Sequence, residues 1–182
     1  TDHAGNFGNV WHDEVNERSL HGRVVTLPCG TRIAGLGGVF RGAVWYPRDQ
    51  QAPKFRNREA HVRVTPRQDR WQGGVHLKHW STIYPDEVEQ LATLQADILI
   101  THEAPGYHMH GFAELDSLAR RMGVRMTVHG HQHDNIDSSA QWDAQDFQSF
   151  GVGLRGVMAV DGLDDFLGSV ERSTHGHTPT HE

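Results

Sequence analysis

The chain has 182 residues, 36% of them hydrophobic, and a formal net charge of -6 with a sequence pI near 6.2. This length suits one domain with a buried core, and the acidic balance gives no electrostatic basis for bulk nucleic-acid binding. No apolar run is long enough to cross a membrane, and the single cysteine, Cys29, cannot form an internal disulfide. We therefore expect a cytoplasmic, globular protein with no membrane segment.

A β-hairpin is predicted near the start of the chain. Two apolar runs, His21–Leu27 and Thr31–Phe40, flank the turn residues Pro28-Cys29-Gly30. The second run contains more glycine than a strand favours. We expect a bulge or the close approach of another segment at these glycines, which are Gly35, Gly37 and Gly38.

Residues 47–80 lack a clear hydrophobic period and are predicted to form a long loop. Basic side chains and tryptophans are interleaved along it, and such residues can hold phosphate groups or nucleotide bases. A solvated surface loop is the simpler interpretation. Arg56, Arg58 and Trp71 are the candidates for binding a phosphorylated small molecule or a nucleotide-like substrate.

A strand–helix–strand unit is predicted after a first helix over 85–95. Asp97–Thr101 reads as a buried strand, Phe112–Met122 as a helix that stops at Gly123, and Val124–Val128 as a second buried strand. This order makes the two strands parallel and adjacent, because a helical crossover returns the chain to the same edge of the sheet.

Histidines follow both of these strands. His102 comes directly after the first strand, and the second strand runs into Val128-His129-Gly130-His131-Gln132-His133-Asp134. The carboxyl ends of parallel strands form the edge where α/β sheets place ligands, and neutral imidazoles bind divalent metals well. The alternative is a solvated turn in a chain that has 15 histidines. Read together, the two groups favour a metal site.

The carboxyl-terminal residues predict a hairpin and a tail. Val152–Val160 reads as a strand, Asp161-Gly162 as a turn, and Phe166–Val170 as the returning strand. Residues 171–182 contain histidine, threonine, glycine and proline, and are predicted to be a disordered tail. One domain over residues 1–170 is therefore expected.

The two histidine motifs resemble the carboxyl-terminal half of a calcineurin-like metallophosphoesterase. The matching pieces are LITHEAPG at 99–106 and VHGHQHD at 128–134, with LHGRVV and RIAGLGGVFRG upstream, so the resemblance covers about residues 20–160. It implies an α/β fold in which a layered β-sandwich is flanked by helices. It also implies a phosphatase or phosphodiesterase that hydrolyses phosphoester bonds with a metal-bound hydroxide.

The same resemblance assigns ligands for two divalent ions, which would be Mn, Fe or Zn. His102 and His131 would bind one ion and His133 the other. Apart from the resemblance, Glu103 beside His102 is a candidate to orient a ligating imidazole, because such rings usually donate their second nitrogen to an acceptor. A simple helix-entry or loop residue is an equally good interpretation of Glu103.

The chain departs from the family pattern in its missing carboxylate motifs. Asp-x-His, Gly-Asp and Gly-Asn-His do not occur in it, which leaves three neutral ligands for two dications. We expect a fragment whose amino-terminal part of the fold is missing, with reduced or no activity alone. An exposed sheet edge would then favour a homodimer.

Two other functions compete with this interpretation. One is a non-catalytic metal-binding or interaction domain derived from the same fold. The other is a metallo-β-lactamase type of hydrolase, which uses His-x-His-x-Asp-His, whereas this chain has His129-x-His131-x-His133-Asp134. Among the remaining histidines, His108 and His110 are expected on a loop surface, and His79 in a surface or structural position.

Overall fold

The computed structural model describes residues 18–132 and 136–153, together with the backbone of 157–158 and 172–173. Within these residues the protein is an α/β structure built on one mixed five-stranded sheet with the strand order β1-β2-β3-β4-β5. The strands are β1 (Arg23–Thr26), β2 (Arg32–Leu36), β3 (Ile98–Thr101), β4 (Met126–His129) and β5 (Gln148–Gly151). β1 is antiparallel to β2, and β2 to β5 are mutually parallel.

The helices of the described part lie between these strands. They are α1 (Arg58–Val64), α2 (Pro85–Leu91), α3 (Ala113–Met122) and α4 (Trp142–Gln145). Short 3-10 segments occupy Pro47–Asp49, Arg67–Asp69, Leu77–His79 and Ser139–Gln141. No helix in the described ranges is both long and apolar enough to span a membrane.

The predicted hairpin is confirmed, and the predicted close approach occurs at Gly35 and Gly38 but not at Gly37. Thr26 pairs with Arg32 across the turn. A Cβ on Gly35 would lie 2.7 Å from Leu20 Cγ, and a Cβ on Gly38, whose φ is +103°, would lie 2.7 Å from the Ser81 carbonyl oxygen. Gly38 therefore allows the chain to leave β2 and pair, at Val39, with a segment far along the sequence.

The strand–helix–strand unit is also confirmed. Helix α3 ends where predicted, because Gly123 adopts a left-handed conformation (φ 66°) that stops it. Helices α2 and α3 pack on the face of the sheet that carries Ala34, Leu36 and Leu99. The core members that they contribute are Val88, Leu91, Leu115, Leu118 and Met122.

The opposite face of the sheet is less well covered in the described part of the chain. Ile98, Met126 and Phe150 form a small buried cluster there with Trp142 of α4. Ile100 lies on the same face, in the central strand, and is 41% exposed. The described sheet therefore has one closed face and one partly open face.

Two sequence predictions are wrong in the described region. Residues 47–80 are not a structureless loop, because they contain α1 and three 3-10 segments. The last strand of the five-stranded sheet, Gln148–Gly151, lies where no strand was predicted. Ser149 is fully buried in this strand, where its hydroxyl lies 3.2 Å from Thr127 Oγ1.

Most of the carboxyl-terminal predictions fall outside the described residues. Val157–Met158 and Arg172–Ser173 form a two-stranded antiparallel ladder. The predicted turn at Asp161-Gly162, the return over Phe166–Val170 and the rest of the tail over 171–182 lie outside the described ranges.

Candidate metal centre

The two histidine groups meet at the edge of the sheet where sequence analysis placed them. Strands β3 and β4 are parallel neighbours, and their last residues, Thr101 and His129, are paired. His102 directly follows Thr101, and His131 follows His129 with Gly130 between them. Both loops therefore start at the same height on the carboxyl edge.

His102 and His131 form the closest contact of the site and are called here the edge pair. Nε2 of His102 and Nδ1 of His131 lie 2.6 Å apart, and the two rings stand nearly perpendicular. At this distance the two nitrogens can share one proton, which leaves a lone pair from one ring directed at the other. The side chain of His131 is 37% exposed, so the pair opens towards solvent.

The backbone also shapes the edge pair. His131 has a φ of +47°, in the left-handed region that few residues other than glycine and asparagine adopt readily. Gly130 has no atom close to the position of a Cβ, so space is available on that side of the loop. The left-handed turn directs the His131 ring back towards His102.

Glu103 supplies a buried carboxylate beside the edge pair. Its side chain accepts a hydrogen bond from the Phe40 amide through Oε1 at 3.2 Å, and its Oε2 lies 3.9 Å from His131 Nδ1. Burial raises the pKa of this carboxyl group, while the charges of His131 and Arg41 oppose the shift. At 3.9 Å the contact with His131 is longer than a hydrogen bond, and it is made to the same His131 nitrogen that meets His102.

His129 lies in a different environment from His131, although the two are only two positions apart. It is 1% exposed, and its Nε2 is 2.5 Å from the Tyr107 hydroxyl. His108 is 5% exposed and packs beside it, with ring centroids 6.3 Å apart, so the expected surface position of His108 is wrong. His110 is exposed as expected. His129 and His108 belong to the packed base of the loop.

The residues present fit part of a metal centre. Two imidazole nitrogens converge with a carboxylate nearby, which is a usual donor chemistry for Mn, Fe or Zn. Among residues 18–132 and 136–153, however, no group of three or more His, Cys, Asp or Glu side chains is arranged to hold an ion. His133, the third ligand implied by the resemblance, lies outside the described residues.

The three substrate-binding candidates lie on and around α1. Arg56 is exposed and pairs with Glu89 at 2.5 Å. Arg58 is turned inward: it donates to the carbonyls of Trp80 and Thr82, pairs with Glu87 at 3.2 Å and lies over the Tyr84 ring. Trp71 meets Trp80 edge to face. These contacts tie the segment together, and the structure gives Arg58 a packing role.

A second histidine cluster was not expected from the sequence. His61, His79, Tyr84 and Phe55 form it, and they are called here the buried cluster. His61 and His79 are each 8% exposed, with ring centroids 4.9 Å apart. His61 stacks on Phe55 and lies 2.8 Å from the Tyr84 hydroxyl through Nδ1. Burial lowers the pKa of His61, and it lowers that of His79 to about 4.

The comparisons with known proteins add one relative. No family model and no solved structure matches the chain. The chain is 40% identical over 156 residues to an uncharacterized protein of Haemophilus influenzae. This alignment covers 86% of the chain and 66% of the relative, so the chain spans just under two thirds of the relative's length.

Proposed function

We propose that this chain carries part of a metal-dependent phosphoester hydrolase of the calcineurin-like type, acting in the cytoplasm. The observation that carries the proposal is the convergence of His102 Nε2 and His131 Nδ1 at 2.6 Å on the carboxyl edge of a parallel sheet. Two side chains 29 positions apart in the chain are brought together there by a strand–helix–strand unit. A binding role explains this better than packing does, because the pair is open to solvent.

The edge pair would hold one divalent ion, and His133 would contribute to a second. The remaining ligands would be carboxylates outside the described residues, since two dications need negative charge around them. When bound, the ions would polarise the phosphoryl group of the substrate and stabilise the charge that develops on its oxygens. The layered sandwich of this family is part of the same proposal.

The chain's own residues would orient these ligands. Glu103 is fixed by the Phe40 amide and keeps a carboxylate oxygen near His131, which favours one ring orientation. The left-handed backbone conformation of His131 sets the direction in which its side chain leaves the loop. The contact between half-buried Tyr107 and buried His129 holds the base of the loop in place.

Metal content and hydrolysis test the proposal together. The purified chain would be loaded with Mn²⁺ or Zn²⁺, dialysed, and assayed for bound metal and for hydrolysis of an aryl phosphomonoester and an aryl phosphodiester. His131→Asn removes the ligand but keeps a residue that tolerates the left-handed backbone. His110→Ala, an exposed histidine of the neighbouring loop, is the matched control.

About two ions per chain, with hydrolysis that His131→Asn abolishes and His110→Ala leaves intact, would support the enzyme. A second function is a non-catalytic metal-binding domain derived from the same fold. Metal bound by the edge pair without turnover of either ester would support that function. Metal content equal in wild type and His131→Asn would contradict both.

A further inference from the structure

Arg41 belongs to the RIAGLGGVFRG segment, but the family resemblance assigns it no role. The chain reaches it from a ladder with a distant segment: Val39 N donates to the Ser81 carbonyl at 2.8 Å, and Ile83 N donates to the Val39 carbonyl at 3.0 Å. The next residue, Phe40, gives its amide to Glu103. Residue 41 therefore leaves this ladder directly beside the carboxylate that faces His131.

The backbone of Arg41 is held firmly. Its carbonyl accepts hydrogen bonds from the amides of Val44 and Trp45, both at 2.8 Å. The ring of the preceding residue, Phe40, packs against Trp45 at a centroid distance of 5.1 Å and against Phe112 at 4.4 Å. These contacts fix the position from which the Arg41 side chain starts.

The side chain of Arg41 is poorly satisfied by the protein around it. Its Nε is buried and has no hydrogen-bond partner within the described residues. Glu103 uses one carboxylate oxygen for the Phe40 amide, and its other oxygen lies 3.9 Å from His131 Nδ1.

A buried guanidinium nitrogen without a protein partner is suited to an oxyanion, because planar forked donors match the oxygens of phosphate and carboxylate groups. We propose that Arg41 anchors a non-bridging phosphoryl oxygen of the substrate at the edge-pair site. This inference rests on the proposed function for the choice of phosphate over other oxyanions. It makes Arg41 a substrate-anchoring residue and assigns it no role in holding metal.

Binding of inorganic phosphate to the full metal-loaded chain tests the inference without requiring turnover. Calorimetry would compare wild type, Arg41→Gln, Arg41→Lys and the control Arg48→Gln, an exposed arginine of the same loop. We expect Arg41→Gln to weaken phosphate affinity about tenfold or more, since a charge-assisted bond is lost. Arg41→Lys, which keeps the charge and loses the fork, should fall between the two, and Arg48→Gln should match wild type.

Melting temperature and metal content provide the second readout. An anchoring role predicts that both are unchanged in Arg41→Gln. Equal phosphate affinity in wild type and Arg41→Gln, or no phosphate binding by wild type, would overturn the inference. So would a loss of metal and thermal stability in Arg41→Gln parallel to its loss of phosphate, because Arg41 would then be part of the scaffold.

The inference and the proposed function can fail separately. Suppose that neither ester is hydrolysed, but phosphate affinity falls in Arg41→Gln and not in Arg48→Gln. The anion site is then supported and the proposed hydrolase activity is not. If hydrolysis depends on His131 and phosphate affinity is indifferent to Arg41, the enzyme stands and the inference is wrong.

Discussion

The edge pair and the buried cluster each bring two histidine rings within 5 Å of one another, yet their surroundings give them different chemistry. In the edge pair, two ring nitrogens face each other in a loop open to solvent. In the buried cluster, one ring stacks on Phe55 and bonds to Tyr84, and burial keeps both rings neutral at physiological pH. Ring proximity alone therefore does not identify a metal site. Orientation of the nitrogens and access to solvent decide it.

The largest effect is expected from removing one ring of the edge pair. His102→Ala should lower the affinity for Mn²⁺ or Zn²⁺ by more than about 100-fold, because the loss of a ligand exceeds the loss of a residue that only orients one. The same change in the buried cluster, His79→Ala, should leave metal affinity unchanged. Metal titration of both variants checks this, and equal losses would remove the distinction between the two clusters.

Acid should act on the buried cluster through protonation. The pKa of His79 is lowered to about 4, so the unfolded chain, with a value near 6.5, binds more protons between these limits. The stabilising contribution is complete above pH 6.5 and is lost as pH falls towards 4. It amounts to at most about 3 kcal/mol of the free energy of unfolding.

Urea denaturation of wild type and His79→Gln from pH 7 to 4 measures this contribution. The carboxyl groups whose pKa values are raised by burial titrate in both proteins, so they cancel in the difference. The wild type should lose stability more steeply than the variant. Parallel curves would mean that His79 is protonated in the folded protein.

A smaller effect is expected from Tyr84→Phe, which leaves Nδ1 of His61 buried without its partner at 2.8 Å. Such a group costs about 1–3 kcal/mol, and the free energy of unfolding should fall by that amount. Tyr46→Phe, at a half-buried tyrosine packed on Phe112, is the control and should change little. Metal affinity should be the same in both variants, and a drop in Tyr84→Phe would couple the two clusters.

The smallest effect is expected at Arg56, next to Phe55 of the buried cluster. Its ion pair with Glu89 is exposed on both sides, so Arg56→Gln should change the free energy of unfolding by less than about 1 kcal/mol. A Michaelis constant raised in this variant would instead support the sequence-based prediction that Arg56 contacts substrate. Chemical denaturation and steady-state kinetics on the same preparation give both values.

The sequence predicted the elements whose signals are local. The hairpin followed from Pro28-Cys29-Gly30 between apolar runs, and the strand–helix–strand unit from two short apolar strands and a helix stopped by glycine. The position of the edge pair followed in turn, because parallel strands bring their carboxyl ends together. The amino-acid order alone was therefore enough to assign His102, His131 and Glu103 to one edge of the sheet.

Other features carried no such signal. Helix α1 was missed because its only buried side chain is His61, a residue that a search for hydrophobic periodicity does not count. Strand β5 was missed because it buries Ser149, a polar residue whose hydroxyl is satisfied by Thr127 and Gln145. Arg41 and His79 depend on pairing between the Val39 and Thr82 segments, which nothing in either local sequence indicates.

The geometry of the edge-pair site depends on Gly38, and a saturation mutagenesis screen would reveal this dependence. Every side chain placed there would meet the Ser81 carbonyl and a backbone conformation that L-residues rarely adopt. The resulting backbone shift would displace the Phe40 amide, and with it the Glu103 carboxylate that accepts its hydrogen bond. Gly38 would therefore rank with His102 and His131 in such a screen, although it has no side chain.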